Sequence, residues 1–282
     1  MARILERIIY SNNLQGGVYV EPFAGGAGAG LMLLAGGHVD RVIINDADKA
    51  IVAFWRSVMD ETEEFIERIR DVPLSISEWE RQRAIYRKPG RCRRLDLGFS
   101  AFYLNRCNRS GIIMNAGPIG GLKQEGEWKI DARFNRDGLV KRIEDIASYC
   151  DRITVLNDDA VALVEKMPDL VKGEKAFVYA DPPYYLKGRG LYMSHYHDAD
   201  HAEFSAAIAG MDKVSWAMTY DDHPRIRELY ANHQIIGFNL RYSAHAASTE
   251  GGEVLIAPHR VEVSAEVRSE LTLLARNLEL KN

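Results

Sequence analysis

Short apolar, β-prone runs, each ending on a glycine turn or a carboxylate, constrain this chain most. Val18-Tyr19-Val20 runs into Glu21-Pro22-Phe23-Ala24-Gly25-Gly26-Ala27-Gly28. Arg41-Val42-Ile43-Ile44-Asn45 ends on Asp46, and Arg152-Ile153-Thr154-Val155-Leu156 ends on Asn157-Asp158-Asp159. Ala176-Phe177-Val178-Tyr179-Ala180 ends on Asp181-Pro182-Pro183-Tyr184-Tyr185. Helical stretches lie between them, at residues 31–34 before the stop Gly36-Gly37, at 49–59 and at 160–167. This alternation predicts an α/β fold with a mainly parallel sheet and right-handed crossovers. Later strands are expected at 214–220, 234–240 and 253–257, the last open to an antiparallel placement because no clear helix precedes it. Val267, Leu271, Leu274 and Leu278 recur at helical spacing and predict a C-terminal helix over 265–280, docked on its own core.

The rhythm breaks over residues 60–149. Helical stretches at 61–70 and 76–87 lead to a basic run, 87–94, then to Phe99–Arg106, a glycine-containing loop and an expected hairpin region at 111–134. We therefore expect a sheet domain from residues 1–59 and 150–282, with a mainly helical domain, 60–149, inserted into it. Between Arg81 and Arg142 there are fifteen cations against five anions, a net of +10 in a chain whose net is −4. The reading is one basic lobe on an acidic body, suited to a polyanion; the plainer alternative is a solvated surface.

No stretch approaches the roughly 20 apolar residues of a membrane span, and the charged N-terminus has no signal-like apolar run. Cys92, Cys107 and Cys150 are odd in number and widely spaced, which offers neither a disulfide framework nor a paired metal site. The expectation is a cytoplasmic monomer with no membrane attachment and no metal. His195 and His197 lie near Asp198 and Asp200, but 194–201 reads as a loop beside the pocket rather than a ligand set.

In an open parallel sheet, ligands bind beyond the carboxyl ends of the strands, where all these motifs lie. A glycine turn lets backbone and helix amides approach a ligand closely. A dinucleotide enzyme uses the same device, but Ala27 holds the second glycine position of G-x-G-x-x-G. Asp46, about 20 residues on, suits a ribose diol and equally suits a helix N-cap in Asn45-Asp46-Ala47-Asp48. Asp181-Pro182-Pro183-Tyr184 is the sharper signal. The prolines donate no backbone hydrogen bonds and stiffen the turn. The Asp181 carboxylate and the Pro182 carbonyl are two acceptors suited to one amine with two N–H groups, and Tyr184 offers a face for a planar ring. Such acceptors favour a pyramidal nitrogen whose lone pair can attack a methylsulfonium in line, by positioning and electrostatics.

These two motifs, with Phe102-Tyr103-Leu104-Asn105-Arg106 and Asn108-Arg109-Ser110-Gly111 between them, resemble the Dam-type family of adenine-N6 DNA methyltransferases over residues 18–257. The resemblance implies a Rossmann-like S-adenosylmethionine-dependent methyltransferase sheet with an inserted DNA-recognition domain. It implies S-adenosylmethionine held by Glu21, Pro22, Phe23, Ala24, Gly25 and Gly26, with Asp46 on the ribose. A carboxylate after the third strand, Asp158 or Asp159, would meet the cofactor's adenine amine. Asp181, Pro182, Pro183 and Tyr184 would hold a flipped-out adenine. The partner would be double-stranded DNA, contacted through Arg91, Arg93, Arg94, Asn105, Arg106, Asn108, Arg109 and Ser110. Two departures stand out. Residues 1–13 lack the family's usual lysine- and glycine-rich opening, and Arg109 stands where some members place an aromatic residue. Three other readings stay open: amine methylation of cytosine N4, RNA or protein glutamine; a nucleotide-dependent oxidoreductase, for which no clear hydride-transfer site is found; and a non-catalytic DNA-binding homologue.

Overall fold

Strands that must be buried on both faces need unbroken apolar runs, and those at 18–20 and 176–180 meet that need. In the computed structural model, which describes residues 1–186, 196–240 and 251–276, both are wholly buried strands. Along the chain the elements are α1 (Ala2–Ser11), β1 (Val18–Glu21), α2 (Gly28–Ala35), β2 (Arg41–Asn45), α3 (Lys49–Asp60), α4 (Thr62–Asp71), α5 (Ile76–Tyr86), α6 (Arg94–Cys107) and α7 (Arg136–Ala147). There follow β3 (Ile153–Leu156), α8 (Ala160–Glu165), α9 (Met167–Val171), β4 (Ala176–Ala180), α10 (Asp198–Ala209), β5 (Ser215–Asp221), α11 (Pro224–Leu229), β6 (Gln234–Leu240), β7 (Gly251–Ala257) and α12 (Ala265–Arg276). The chain divides into two compact units, residues 1–46 with 158–282, and residues 47–157.

The first unit holds six of the sheet's seven strands, in the order β2-β1-β4-β5-β7-β6. β1 pairs in parallel with β2 on one side and β4 on the other, and β4 pairs in parallel with β5. From β1 the chain passes through α2 to β2; from β4 it passes through α10 to β5, in the opposite direction. The tips of β1 and β4 therefore flank a topological switch point, the place where such sheets bind ligands. β7 inserts antiparallel between β5 and β6. Only ten residues separate Leu240 from Gly251, too few for a parallel return. This is the mainly parallel α/β sheet expected from the sequence, with β7 in the antiparallel placement.

Several elements differ from expectation. α1 was not foreseen, although Ile4, Leu5, Ile8 and Ile9 mark its buried stripe. The Asn12 side chain then ties its end to the main chain of Glu262. His197 caps α10, which begins at Asp198, so the expected loop is helical from there; Ser194 and His195 lie outside the described residues. Val267 and Leu271 of α12 are fully buried, and residues 277–280 of the expected helix lie outside the described residues.

The second unit carries α3 to α7 and β3. It has its own core, in which Phe54 stacks on Phe102 and Phe65 meets Phe99 and Phe102 edge-on. Its limits fall at 47 and 157, outside the 60 and 149 expected, because α3 packs along α6. A methyl on Gly98 would lie 2.5 Å from the Phe54 backbone nitrogen and 2.6 Å from the Ala53 carbonyl oxygen. The helices can approach that closely only because Gly98 has no side chain. The expected hairpin at 111–134 is instead irregular, apart from an isolated bridge between Asn108 and Pro118. Asn115, Gly120, Gly121 and Gln124 take positive φ there, which breaks strand geometry. The Gln124 side chain binds the carbonyls of Ile119 and Gly121 and the amide of Ile130 instead.

Gly98→Ala should therefore destabilise the protein by about 1–3 kcal/mol through overpacking. At Gly90 an added methyl meets nothing within 4 Å, and Gly90→Ala should stay within about 0.5 kcal/mol. Denaturant midpoints of the two variants check both.

Candidate active site

The glycine turn is shaped by carboxylates. Gly25 takes φ +47°, and its N–H donates to Asp46 Oδ2 at 2.9 Å. Glu21 is buried; its Oε1 accepts from Tyr19 Oη and from the Gly30 N–H, both at 3.0 Å. Desolvation pushes its pKa up to about 7. Glu21 thus anchors α2 onto β1. Asn45, also buried, binds the Pro22 carbonyl and both main-chain groups of Asp158. The helix-cap alternative for Asp46 falls to Asp48, whose side chain accepts from the Ala50 N–H at 2.8 Å.

Those contacts leave the turn open on its outer side. Methyls built on Gly25, Gly26 or Gly28 would meet no atom within 4 Å. Phe23 is half-buried, its ring edge-on to Phe204 and Tyr196. An open, glycine-lined backbone at a helix start, with an aspartate at the adjacent strand tip, leaves room for a nucleoside-type ligand against the main chain. Asp158 pairs with Lys166 at 3.0 Å, and Asp159 caps α8 by accepting from the Val161 N–H at 2.8 Å.

At the neighbouring tip, Asp181 follows β4. Its surface is solvent-accessible, yet protein surrounds it closely enough to raise its pKa to about 6. Burial is the largest cause; the Glu253 charge adds to it and the Thr219 hydrogen bond opposes it. The Thr219 hydroxyl donates to Asp181 Oδ1 at 2.9 Å, and Tyr179 Oη lies 2.7 Å from Thr219 Oγ1. Pro182 is buried, while Pro183 and Tyr184 are half-buried. Buried Asp221, at the tip of β5, accepts from the Tyr185 and Leu186 N–H groups, both at 2.8 Å, and so fixes the turn's exit. Tyr185 stacks on His223 at 4.3 Å and donates to Asp198. Thr219, Asp221, Tyr179 and Asn45 were missed in the sequence. Only β4–β5 register, or a buried polar residue inside an apolar run, could have signalled them.

The second unit spreads the expected DNA-contacting residues over different environments. Arg93 pairs with Glu64 through both Nη atoms, and Arg94 pairs with Asp60 and Glu61. The acids of α4 and α5 lower the charge excess: residues 47–157 hold 20 Lys and Arg against 17 Asp and Glu, a net of +3. The basic lobe is therefore much weaker than the run 81–142 suggested. Asn108 is fully buried. It accepts from Trp79 Nε1 at 2.6 Å and donates to the Ile112 and Ile113 carbonyls, so it shapes the loop from inside. Asn105 donates to the Gly111 carbonyl and accepts from Arg106. Arg109 and Ser110 are exposed at the loop tip, where Ser110 takes φ +55°, and Arg91 is exposed before α6. Among the described residues, no carboxylate lies within ion-pair distance of Arg106, Arg109, Arg133 or Arg142. Burial lowers the Arg106 pKa, and the charges of Arg133 and Arg142 lower it further. Among the described residues no helix is long and apolar enough to cross a membrane.

Comparison with known proteins places this geometry. No curated protein matches the chain. Among solved structures, the rRNA methyltransferase aviRa from Streptomyces viridochromogenes is similar at 12% identity and TM-score 0.38, covering 92% of this chain and 83% of that one. A SAM-dependent methyltransferase from Agrobacterium tumefaciens is similar at 9% identity and TM-score 0.39, covering 91% and 60%. The sequence profile of the D12 class N6 adenine-specific DNA methyltransferases matches residues 1–244. The chain belongs to that family, and it is a methyltransferase whose methyl donor is S-adenosylmethionine.

Proposed function

We propose that this protein methylates the N6 amine of adenine in double-stranded DNA, at a base rotated out of the duplex. The observation that carries the reading is the pairing of an open glycine turn after β1 with Asp181-Pro182-Pro183-Tyr184 after β4, on adjacent parallel strand tips. The turn from Glu21 to Gly26 would hold the cofactor with Asp46 beside it, and Asp158 or Asp159 would meet its base. When bound, the cofactor supplies an electrophilic methyl group on sulfur. The chain's own contribution is positional. Asp181 and the Pro182 carbonyl accept the two amine hydrogens, and Tyr184 stacks the extruded ring. Extrusion costs a few kcal/mol; stacking returns about 1–3 kcal/mol.

DNA would be gripped by the helical unit. Arg91, Arg106, Arg109, Arg133 and Arg142, which have no acid within ion-pair distance among the described residues, suit phosphates or guanine edges, and Asn105 and Ser110 could add hydrogen bonds. Arg93 and Arg94 are engaged by acids, and Asn108 would act by holding the loop. The protein would work as a cytoplasmic monomer.

Asp181→Ala should lower kcat about a hundred- to a thousandfold while leaving cofactor affinity nearly unchanged, as read by methyl transfer to DNA and by calorimetry. A fully active variant would remove Asp181 from the mechanism. In the wild type, protonation destroys the acceptor, so the rate should fall as pH drops through about 6. Tyr184→Ala should cut kcat/KM about tenfold or more through lost stacking; Tyr185→Ala should mainly reduce stability, because its ring packs on His223. Arg109→Ala should flatten the logarithmic salt dependence of DNA binding by about 0.9, one phosphate's worth, and Arg93→Ala should change it far less. Equal slopes for the two would misplace the DNA contact.

A further inference from the structure

Asp181 could meet an amine with either oxygen and in either protonation state, and the strand register narrows both choices. Strand period two puts Tyr179 and Asp181 on one face of β4. β4 and β5 pair Tyr179 with Ala217 and Ala180 with Met218, which brings Thr219 level with Asp181. The Thr219 hydroxyl has one hydrogen, and it goes to Asp181 Oδ1 at 2.9 Å. The 2.7 Å contact between Tyr179 Oη and Thr219 Oγ1 must then be donated by the tyrosine. Tyr179 and Thr219 are both buried. The result is a directed chain, tyrosine to threonine to carboxylate, inside the sheet. Among the described residues Asp181 Oδ2 has no hydrogen-bond partner.

We propose that Thr219, backed by Tyr179, is the positioning residue for Asp181, pinning Oδ1 and presenting Oδ2 to the substrate amine. This rests on the amine-methylating reading above and adds two residues that touch neither substrate nor cofactor. The surroundings make such a device necessary. Tyr19 and Glu21 face Asp181 from β1, Tyr179 from β4, Asp221 lies beyond Thr219 on β5, and Glu253 acts from β7. None of these is a cation. Burial and the Glu253 charge favour the protonated acid, and the Thr219 hydrogen bond opposes them. Without it, Asp181 would hold its proton to a higher pH and would donate where the amine needs an acceptor.

The test is a titration of the Asp181 carboxyl carbon by NMR in the full chain, assigned with Asp181→Asn, in wild type, Thr219→Val, Thr219→Ser and Tyr179→Phe. Thr219→Val should raise the midpoint by about one pH unit, Tyr179→Phe should raise it less, and Thr219→Ser should restore it. Cofactor affinity should be unchanged throughout. The kcat of Thr219→Val should fall about twofold at pH 7 and about fivefold at pH 6 relative to wild type at the same pH, and recover toward pH 9, with little change in KM, because a residue acting through Asp181 alters ionisation rather than binding. A purely structural role would give a loss that alkaline pH does not repair. Should Thr219→Val fail to fold, Tyr179→Phe removes one hydroxyl and serves alone. A midpoint unmoved in both variants overturns the proposal. If the wild type methylates no DNA while the midpoints shift as expected, the functional reading fails and the titration still establishes the hydroxyl chain.

Discussion

The carboxylate at the tip of β4 stands in a sheet crowded with acids, and the proposed reaction requires that it stay ionised. Asp181 lies close to Glu21 and Glu253, and the β5–β7 register sets Asp221 directly opposite Glu253. All but Asp181 are buried. Like charges in a low-dielectric setting push one another toward protonation, so the neighbours must be neutralised or fully hydrogen-bonded for Asp181 to remain useful. Glu21 follows the first course, keeping its proton up to about pH 7 while accepting two hydrogen bonds. Asp221 follows the second, taking two main-chain N–H groups. Of these four, only Asp181 combines solvent access with a single donor among the described residues, which suits the substrate-facing role proposed for it.

The same division runs through the cofactor side. Asp46 was read as a ribose ligand, and its Oδ2 already holds the Gly25 N–H. A carboxylate has two oxygens and several lone pairs, so shaping the turn and meeting a diol are compatible on one side chain. Asn45 shows the limit of that economy: buried and bonded at both ends of its amide, it can only cross-link the turn to Asp158. Removing such a residue would leave main-chain groups unpaired, which costs more than the hydrogen bonds themselves return.

Much of this was legible in the sequence, for a definite reason. The glycine turn, Asp46 and the Asp-Pro-Pro-Tyr run lie contiguously at strand ends, so strand period and turn chemistry locate them without tertiary information. Thr219 and Tyr179 sit inside apolar runs, and nothing local distinguishes them until β4 and β5 are aligned. The stretch 111–134 resembles a hairpin in sequence, whereas several positive-φ residues and the Gln124 side chain organise it without strands. α1 carries its signal in the spacing of Ile4, Leu5, Ile8 and Ile9, a stripe that becomes a buried face only when the helix docks.

Charge was the least reliable guide, and the reason is instructive. The run 81–142 is strongly basic, but charge acts through space. Glu64 of α4, with Asp60 and Glu61 just before it, sits on the same helical unit as Arg93 and Arg94 and binds them, Glu64 gripping Arg93 with both oxygens. Surface pairs of this kind add little stability, typically below about 1 kcal/mol, yet they remove those arginines from the field a polyanion would feel. Other guanidiniums of the unit have no acid within ion-pair distance among the described residues, Arg106, Arg109, Arg133 and Arg142 among them. Burial lowers the pKa of Arg106, and repulsion from Arg133 and Arg142 lowers it further. An arriving phosphate would relieve that repulsion, so the unit gains more from an anion there than its net of +3 implies. Pairing of Arg93 and Arg94 thus shifts the weight toward the arginines left without acids, which include exposed Arg109 at the loop tip.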